Sequence, residues 1–211
     1  MHYRYIVIEG NIGAGKTTLA TRIAKEYGAR LVLEQFADNP FLPKFYENPD
    51  RYAFPLEMSF LSERYNQLKH ELTQPELFTS FTIADYYFAK SLIFARNTLQ
   101  PDEYRLYHQI YAIIYEHLPR PDLYVFLHVS TDRLLNNIKR RGRAYESGIT
   151  AGYLEKIRDG YFRFFSQEKD IRFLILDTTM VDFVENQEDF RKVKKIILEK
   201  EYPAGITRIT L

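Results

Sequence analysis

The chain has 211 residues, 45% hydrophobic and 27% charged, a size and balance that suit one globular domain over residues 1–211. Lys and Arg total 29 against 28 Asp and Glu, and a net charge of +1 argues against a broad electrostatic grip on a nucleic acid polymer or an anionic membrane. The lack of cysteine excludes disulfides, thiolate catalysis and zinc–thiolate sites. With no signal-type stretch and no apolar run near the ~18 residues of a membrane span, a cytoplasmic location is expected.

In chain order, the β-branched run at 3–8 predicts a buried strand ending at Glu9-Gly10. A glycine-rich turn follows. Leu19, Ile23 and Tyr27 then give helical spacing over 17–27, stopped by Gly28. Leu31-Val32-Leu33 reads as a second strand ending at Glu34. Proline punctuation between 38 and 55 predicts short turns, and 56–72 a long amphipathic helix. A third strand is expected within 77–84, with helices over 86–99 and 102–117. The apolar run 123–129 is the clearest strand, followed by a helix at 132–139, a cationic turn, and a helix at 153–165. A strand at 173–176 and a helix at 187–200 close the pattern. The expectation is an α/β fold of the P-loop NTPase class, with five parallel strands flanked by helices. Ligands would sit beyond the C-terminal ends of the strands.

Gly10-Asn11-Ile12-Gly13-Ala14-Gly15-Lys16-Thr17, followed by Thr18, has the spacing of a phosphate-binding P-loop between a strand and a helix. Its glycines let backbone N–H groups converge on phosphate oxygens, and the helix adds the positive end of its dipole. Lys16 can reach the β- and γ-phosphates of ATP, and the Thr17 hydroxyl can ligate Mg2+. Glu34, at a strand end, is either a solvated charge or a general base for an attacking hydroxyl. Asp85, after the third strand, can hold Mg2+, cap a helix beginning at Tyr86, or do both. Arg140-Arg141-Gly142-Arg143, with Glu146 behind it, reads as a lid over about 139–150, whose guanidinium groups would neutralise charge on the transferring phosphate. A solvated basic helix end is the alternative.

Taken together, these residues resemble the deoxyribonucleoside kinases over most of the chain. The resemblance rests on 8–18, on Glu34, on Tyr46-Glu47-Asn48-Pro49-Asp50-Arg51-Tyr52, on the spacing from Tyr46 through Glu57 to Arg64, and on the lid. It implies ATP- and Mg2+-dependent phosphorylation of a deoxynucleoside 5′-hydroxyl in nucleotide salvage, by a homodimer whose other partners are small molecules. It also implies that Glu34 is the catalytic carboxylate, assisted by Lys16, Arg141 and Arg143. Tyr46 and Glu146 would hold the sugar, and Arg64 would lie beside the base. Two departures stand out. Asp85-Tyr86-Tyr87 replaces an acidic residue followed by Arg-Ser, which leaves a task to another cation, Arg64 or a lid Arg. Glu57 replaces a Gln that reads the base edge.

An ionised Glu57 offers acceptors only, which suits the two adjacent donors of guanine and repels the N1 lone pair of adenine. Arg64 would hold that carboxylate ionised. Deoxyguanosine is therefore expected ahead of deoxyadenosine, with pyrimidines poor. In the alternative, Glu57 merely pairs with Arg64 and a water reads the base. Two rival activities remain from the residues alone: a thymidylate-type nucleoside monophosphate kinase, and a nucleotide-binding regulatory module without phosphotransfer.

Overall fold

The computed structural model describes residues 2–35, 39–73 and 79–211. The chain is organised as two compact units: Met1–Leu33, Glu76–Tyr87 and Arg120–Leu211 form one, and Glu34–Pro75 and Phe88–Pro119 the other.

The first unit is built on a parallel sheet. Its strands are β1 (Tyr5–Gly10), β2 (Arg30–Val32), β3 (Thr82–Ala84), β4 (Leu123–His128), β5 (Arg172–Asp177) and β6 (Gly205–Thr210), in the order β2-β3-β1-β4-β5-β6. All six residues of β1 are buried. A strand covered on both faces must be apolar on both, which is why β1 and β4 read as continuous runs rather than alternating ones. Around the sheet lie α1 (Lys16–Tyr27), α6 (Thr131–Arg141), α7 (Ala151–Gln167) and α8 (Gln187–Glu199). Tyr124, Phe126, Tyr161, Phe165 and Phe173 are buried together, with edge and tilted ring contacts among them. Those aromatic residues are core, as the composition suggested.

The sheet corrects the expected strand count from five to six. β6 pairs with β5 from Arg172↔Gly205 to Asp177↔Thr210. Its side chains alternate between partly buried and exposed. That is the pattern of an edge strand with one wet face, and a search for continuous apolar runs passes over it. The expected strand at 77–84 is Thr82–Ala84, and positions 77 and 78 lie outside the described residues.

The second unit is helical: α2 (Phe41–Glu47), α3 (Pro49–Thr73), α4 (Ala89–Thr98) and α5 (Pro101–Tyr115). Turns were expected through residue 55, but α2 and the start of α3 occupy that stretch. Pro49 opens α3, where a missing N–H costs nothing and the fixed φ suits a helix. Asn48 accepts a bond from the Arg51 N–H at 3.3 Å through its Oδ1. Pro55 sits inside α3 and forfeits one backbone hydrogen bond, so proline punctuation marks a helix start here rather than a loop. Among the described residues no helix is long and apolar enough to cross a membrane.

Candidate active site

In the sheet unit, β1 delivers the chain into the P-loop, and packing dictates the glycines. A Cβ on Gly10 would stand 2.8 Å from the Leu127 carbonyl oxygen of the neighbouring strand. Gly15 has φ +86°, and a Cβ there would meet the Phe183 ring at 2.9 Å. The loop is held by the Ala14 N–H on Asn11 O at 3.1 Å and by Asn137 Nδ2 on Gly13 O at 2.9 Å. Lys16 Nζ donates to Asn11 O at 3.0 Å. Asn11 is buried, and its Nδ2 donates to Leu154 O on α7 at 2.7 Å. Ile12 and Thr18 are partly buried around the loop.

The Thr17 hydroxyl donates to Asp85 Oδ2 at 2.5 Å, and Asp85 is buried. The two residues read from sequence as metal ligands are therefore in contact. Because α4 begins at Ala89, Asp85 does not cap a helix at Tyr86. β3 and β2 place it, since its N–H donates to Val32 O at 3.1 Å.

The lid cations are tied to a carboxylate within their own segment. Arg141 ends α6, and Gly142 turns the chain at φ +69°. Arg141 donates to both oxygens of Glu146, from Nε at 3.1 Å and Nη2 at 2.5 Å. Arg143 Nη1 reaches Oε1 at 3.5 Å, and Glu146 itself is buried. A bidentate guanidinium–carboxylate pair fixes the orientation of both partners.

In the helical unit, Glu34 accepts from Arg64 Nε at 3.0 Å and Nη2 at 2.7 Å on one oxygen, and from Lys90 Nζ at 2.5 Å on the other. Burial alone would push its pKa up, but the charges and hydrogen bonds of Lys90 and Arg64 outweigh burial and lower it to about 2. Burial likewise opposes the Arg64 charge, yet Glu34 holds that pKa above the ordinary arginine value. Arg64 Nη1 donates to the buried Ser91 hydroxyl at 2.9 Å.

The hydrogen bonds of Arg64 go to Glu34 and Ser91, so toward Glu57 it acts through its charge, which favours the ionised carboxyl. Glu57 is 4% exposed, and its Oε2 has no hydrogen-bond partner among the described residues. Burial raises its pKa to about 7 against the lowering pull of Arg64 and the Thr98 hydroxyl. Tyr46 lies on α2, 46% exposed, with its ring edge-on to Phe45 at 5.5 Å.

Sequence reasoning missed Lys90 and Glu9. Lys90 lies five positions after Asp85, and the signal available was a lysine directly after the run Tyr86-Tyr87-Phe88-Ala89. It and Arg64 are the two cations that hold Glu34. Glu9, fully buried on β1, accepts from the Gly10 and Tyr87 N–H groups at 3.3 and 3.0 Å and from the Tyr161 hydroxyl at 2.8 Å. It braces the strand that feeds the P-loop.

A P-loop on a parallel sheet, a Thr–Asp pair beside it and an arginine lid define a P-loop phosphotransferase. A family model described as deoxynucleoside kinase matches residues 6–201. The chain is 37% identical over 203 residues to a deoxyguanosine kinase of Bacillus subtilis, covering 92% of this chain and 96% of that one. It is 28% identical over 208 residues to a deoxyadenosine kinase of Lactobacillus acidophilus, covering 92% and 95%. The structure of a deoxyadenosine kinase from M. mycoides with bound dATP superposes with a TM-score of 0.77 at 26% identity, covering 91% of this chain and 98% of that one. The chain belongs to the deoxynucleoside kinase family, and is an enzyme of that phosphotransferase class.

Proposed function

We propose that the protein transfers the γ-phosphoryl group of ATP to the 5′-hydroxyl of deoxyguanosine in preference to deoxyadenosine, with pyrimidine deoxynucleosides poor, in cytoplasmic nucleotide salvage. The observation that carries the base preference is the buried Glu57 oxygen without a hydrogen-bond partner among the described residues, since a carboxylate accepts both donors of the guanine edge. The deoxyguanosine kinases of B. subtilis and Lactobacillus johnsonii, at 37% and 32% identity, support the same choice.

In this reading the P-loop N–H groups and Lys16 hold the donor phosphates. Thr17 and Asp85 present hard oxygens in contact with each other, a donor set that suits Mg2+ shared with phosphates and water. The ion supplies charge neutralisation on the phosphates when bound. Arg141 and Arg143 meet the charge on the transferring group by exchanging Glu146 for phosphate oxygens, while Tyr46 and Glu146 hold the sugar hydroxyl. The 5′-oxygen attacks phosphorus, the bond to the leaving ADP breaks, and the hydroxyl proton passes to Glu34. A carboxylate with a pKa near 2 is a weak base in the ground state. It therefore orients the hydroxyl and takes the proton late, once the bond to phosphorus has made that proton acidic.

The partner is a second copy of the chain. Leu106 and Ile113 stand 50% and 68% exposed on one face of α5, a stripe that a dimer would cover. Rates with ATP on the four deoxynucleosides test the catalytic reading. Deoxyguanosine as best substrate supports it, and a pyrimidine as best substrate overturns it.

A further inference from the structure

We propose that Glu57 selects the base by its own protonation state: the carboxylate accepts the two donors of a guanine edge, and the neutral acid donates to N1 and accepts from the exocyclic amine of adenine. The inference rests on the reading above, in which Glu57 meets the base, and extends it from one preferred nucleoside to a choice set by a proton.

Glu57 is 4% exposed on α3, so water does not stabilise its charge. Arg64 lies on the same helix, but its Nε, Nη1 and Nη2 already donate to Glu34 and Ser91. Lys90, the other cation of that cluster, donates to the far oxygen of Glu34. From α4 the Thr98 hydroxyl lies near the carboxylate but donates to Phe94 O at 2.9 Å, and from α5 comes Tyr107. Burial, reinforced by the nearby Glu57 charge, holds the Tyr107 phenol above its ordinary range, so that group stays neutral near pH 7. Glu57 is thus the group in this set that titrates near neutrality, with a pKa of about 7, and its Oε2 lacks a hydrogen-bond partner among the described residues.

A glutamine here has a fixed donor and a fixed acceptor. A glutamic acid near its midpoint alternates between that pattern and acceptors only. Each base binds one form, so each drives a proton in a different direction. Guanine binding to the neutral acid releases the proton to solvent, whereas adenine binding to the carboxylate takes one up. At pH 7 each exchange should approach about half a proton, by the linkage between protonation and binding.

The test uses the whole enzyme between pH 5.5 and 8.5. The ratio of kcat/KM for deoxyguanosine over deoxyadenosine is measured, together with calorimetric binding of each nucleoside in two buffers of different ionisation enthalpy. We expect the ratio to rise with pH, up to about tenfold per pH unit in the limit where each base binds one form only. Proton release with deoxyguanosine and uptake with deoxyadenosine should accompany it. Glu57→Gln should flatten the ratio and shift it toward deoxyadenosine, and a variant that keeps the slope assigns the titration elsewhere and overturns the proposal. Should that variant fail to fold, the wild-type calorimetry decides alone. Deoxyguanosine preferred equally at every pH, without proton exchange, overturns the selector and leaves the proposed function standing. No preference for deoxyguanosine at any pH overturns both.

Discussion

The two units contain buried carboxylates treated in opposite ways. Glu9, in the sheet unit, accepts from two backbone N–H groups and a tyrosine hydroxyl. Glu57, in the helical unit, has an oxygen that meets no donor among the described residues. A buried acid supplied with partners is part of the framework, fixed when the chain folds. A buried acid left without them costs stability that the fold must offset elsewhere, and such a cost persists where a ligand completes the hydrogen bonding. Glu34 stands between the two, since charges rather than neutral donors hold it, and a charged clamp keeps a carboxylate ionised while fixing its direction.

The largest expected effects fall on groups assigned to the transferring phosphate. Lys16→Met should lower kcat by at least ~10³-fold, because it removes a cation from the site of charge development. Lys16 Nζ donates to Asn11 O, a bond of a charged donor to a neutral carbonyl in a partly buried loop, and its loss should leave the melting temperature near wild type. A folded variant with near wild-type turnover would remove the P-loop from the chemistry. Glu34→Gln should lower kcat by ~10²–10⁴-fold with little change in ATP affinity. Loss of ATP affinity alone would make Glu34 a donor-site residue. With its pKa near 2, Glu34 contributes no acidic limb to the pH–rate profile above about pH 4, so a limb centred near pH 4.5 would contradict the clamp.

Removing half of the clamp probes the middle case. Lys90→Met removes one of the two cations that clamp the largely buried Glu34 carboxylate, and should cost ~3–5 kcal/mol in chemical denaturation. The sign follows from the lowered pKa. The stability that Glu34 contributes is present above its unfolded value of 4.5 and is lost as pH falls toward 2. In Lys90→Met that loss should move to higher pH, whereas Lys90→Arg should restore most of it. A smaller effect belongs to the sheet unit: Asp85→Asn should raise the Mg2+ concentration for half activity about tenfold, by analogy with outer-ligand losses at metal sites. An unchanged requirement would leave Asp85 as a partner of Thr17 only.

The sheet unit was the more legible of the two because its chemistry is contiguous. A P-loop needs its glycines, Lys16 and Thr17 in eight consecutive positions, and β1 ahead of it is a continuous apolar run. The helical unit brings together Glu34, Arg64 and Lys90, thirty and fifty-six positions apart, and no local pattern announces that pairing. The same distance left the reading of Arg64 incomplete. It lies seven positions after Glu57, two helical turns along one face, so their partnership was the natural inference. The tertiary competitor was Glu34. The sixth strand escaped for a different reason: residues 205–210 alternate, with one face in water, while β4 and the centre of β5 read as apolar runs.

The smallest predicted effect tests the contrast between Glu9 and Glu57 most directly, because one substitution is made at both acids. Glu9→Gln turns one acceptor into a donor, facing either the Tyr87 N–H or the Gly10 N–H and Tyr161 hydroxyl together, and should destabilise the nucleoside-free protein by ~1–3 kcal/mol at any pH between 5 and 8. Glu57→Gln should do the reverse above neutrality. The folded pKa of Glu57 is about 7 against 4.5 for the free side chain, so the folded state binds the proton more tightly. Its contribution to stability is full below pH 4.5 and is lost as pH rises through 7. A glutamine has no charge to desolvate, so the variant should gain ~1–2 kcal/mol over wild type at pH 8 and little at pH 5. Denaturant melts of the two variants at both pH values read the difference. Equal losses at both positions would mean that Glu57 is as well supplied with partners as Glu9, and the distinction between a framework acid and a ligand-facing one would fall.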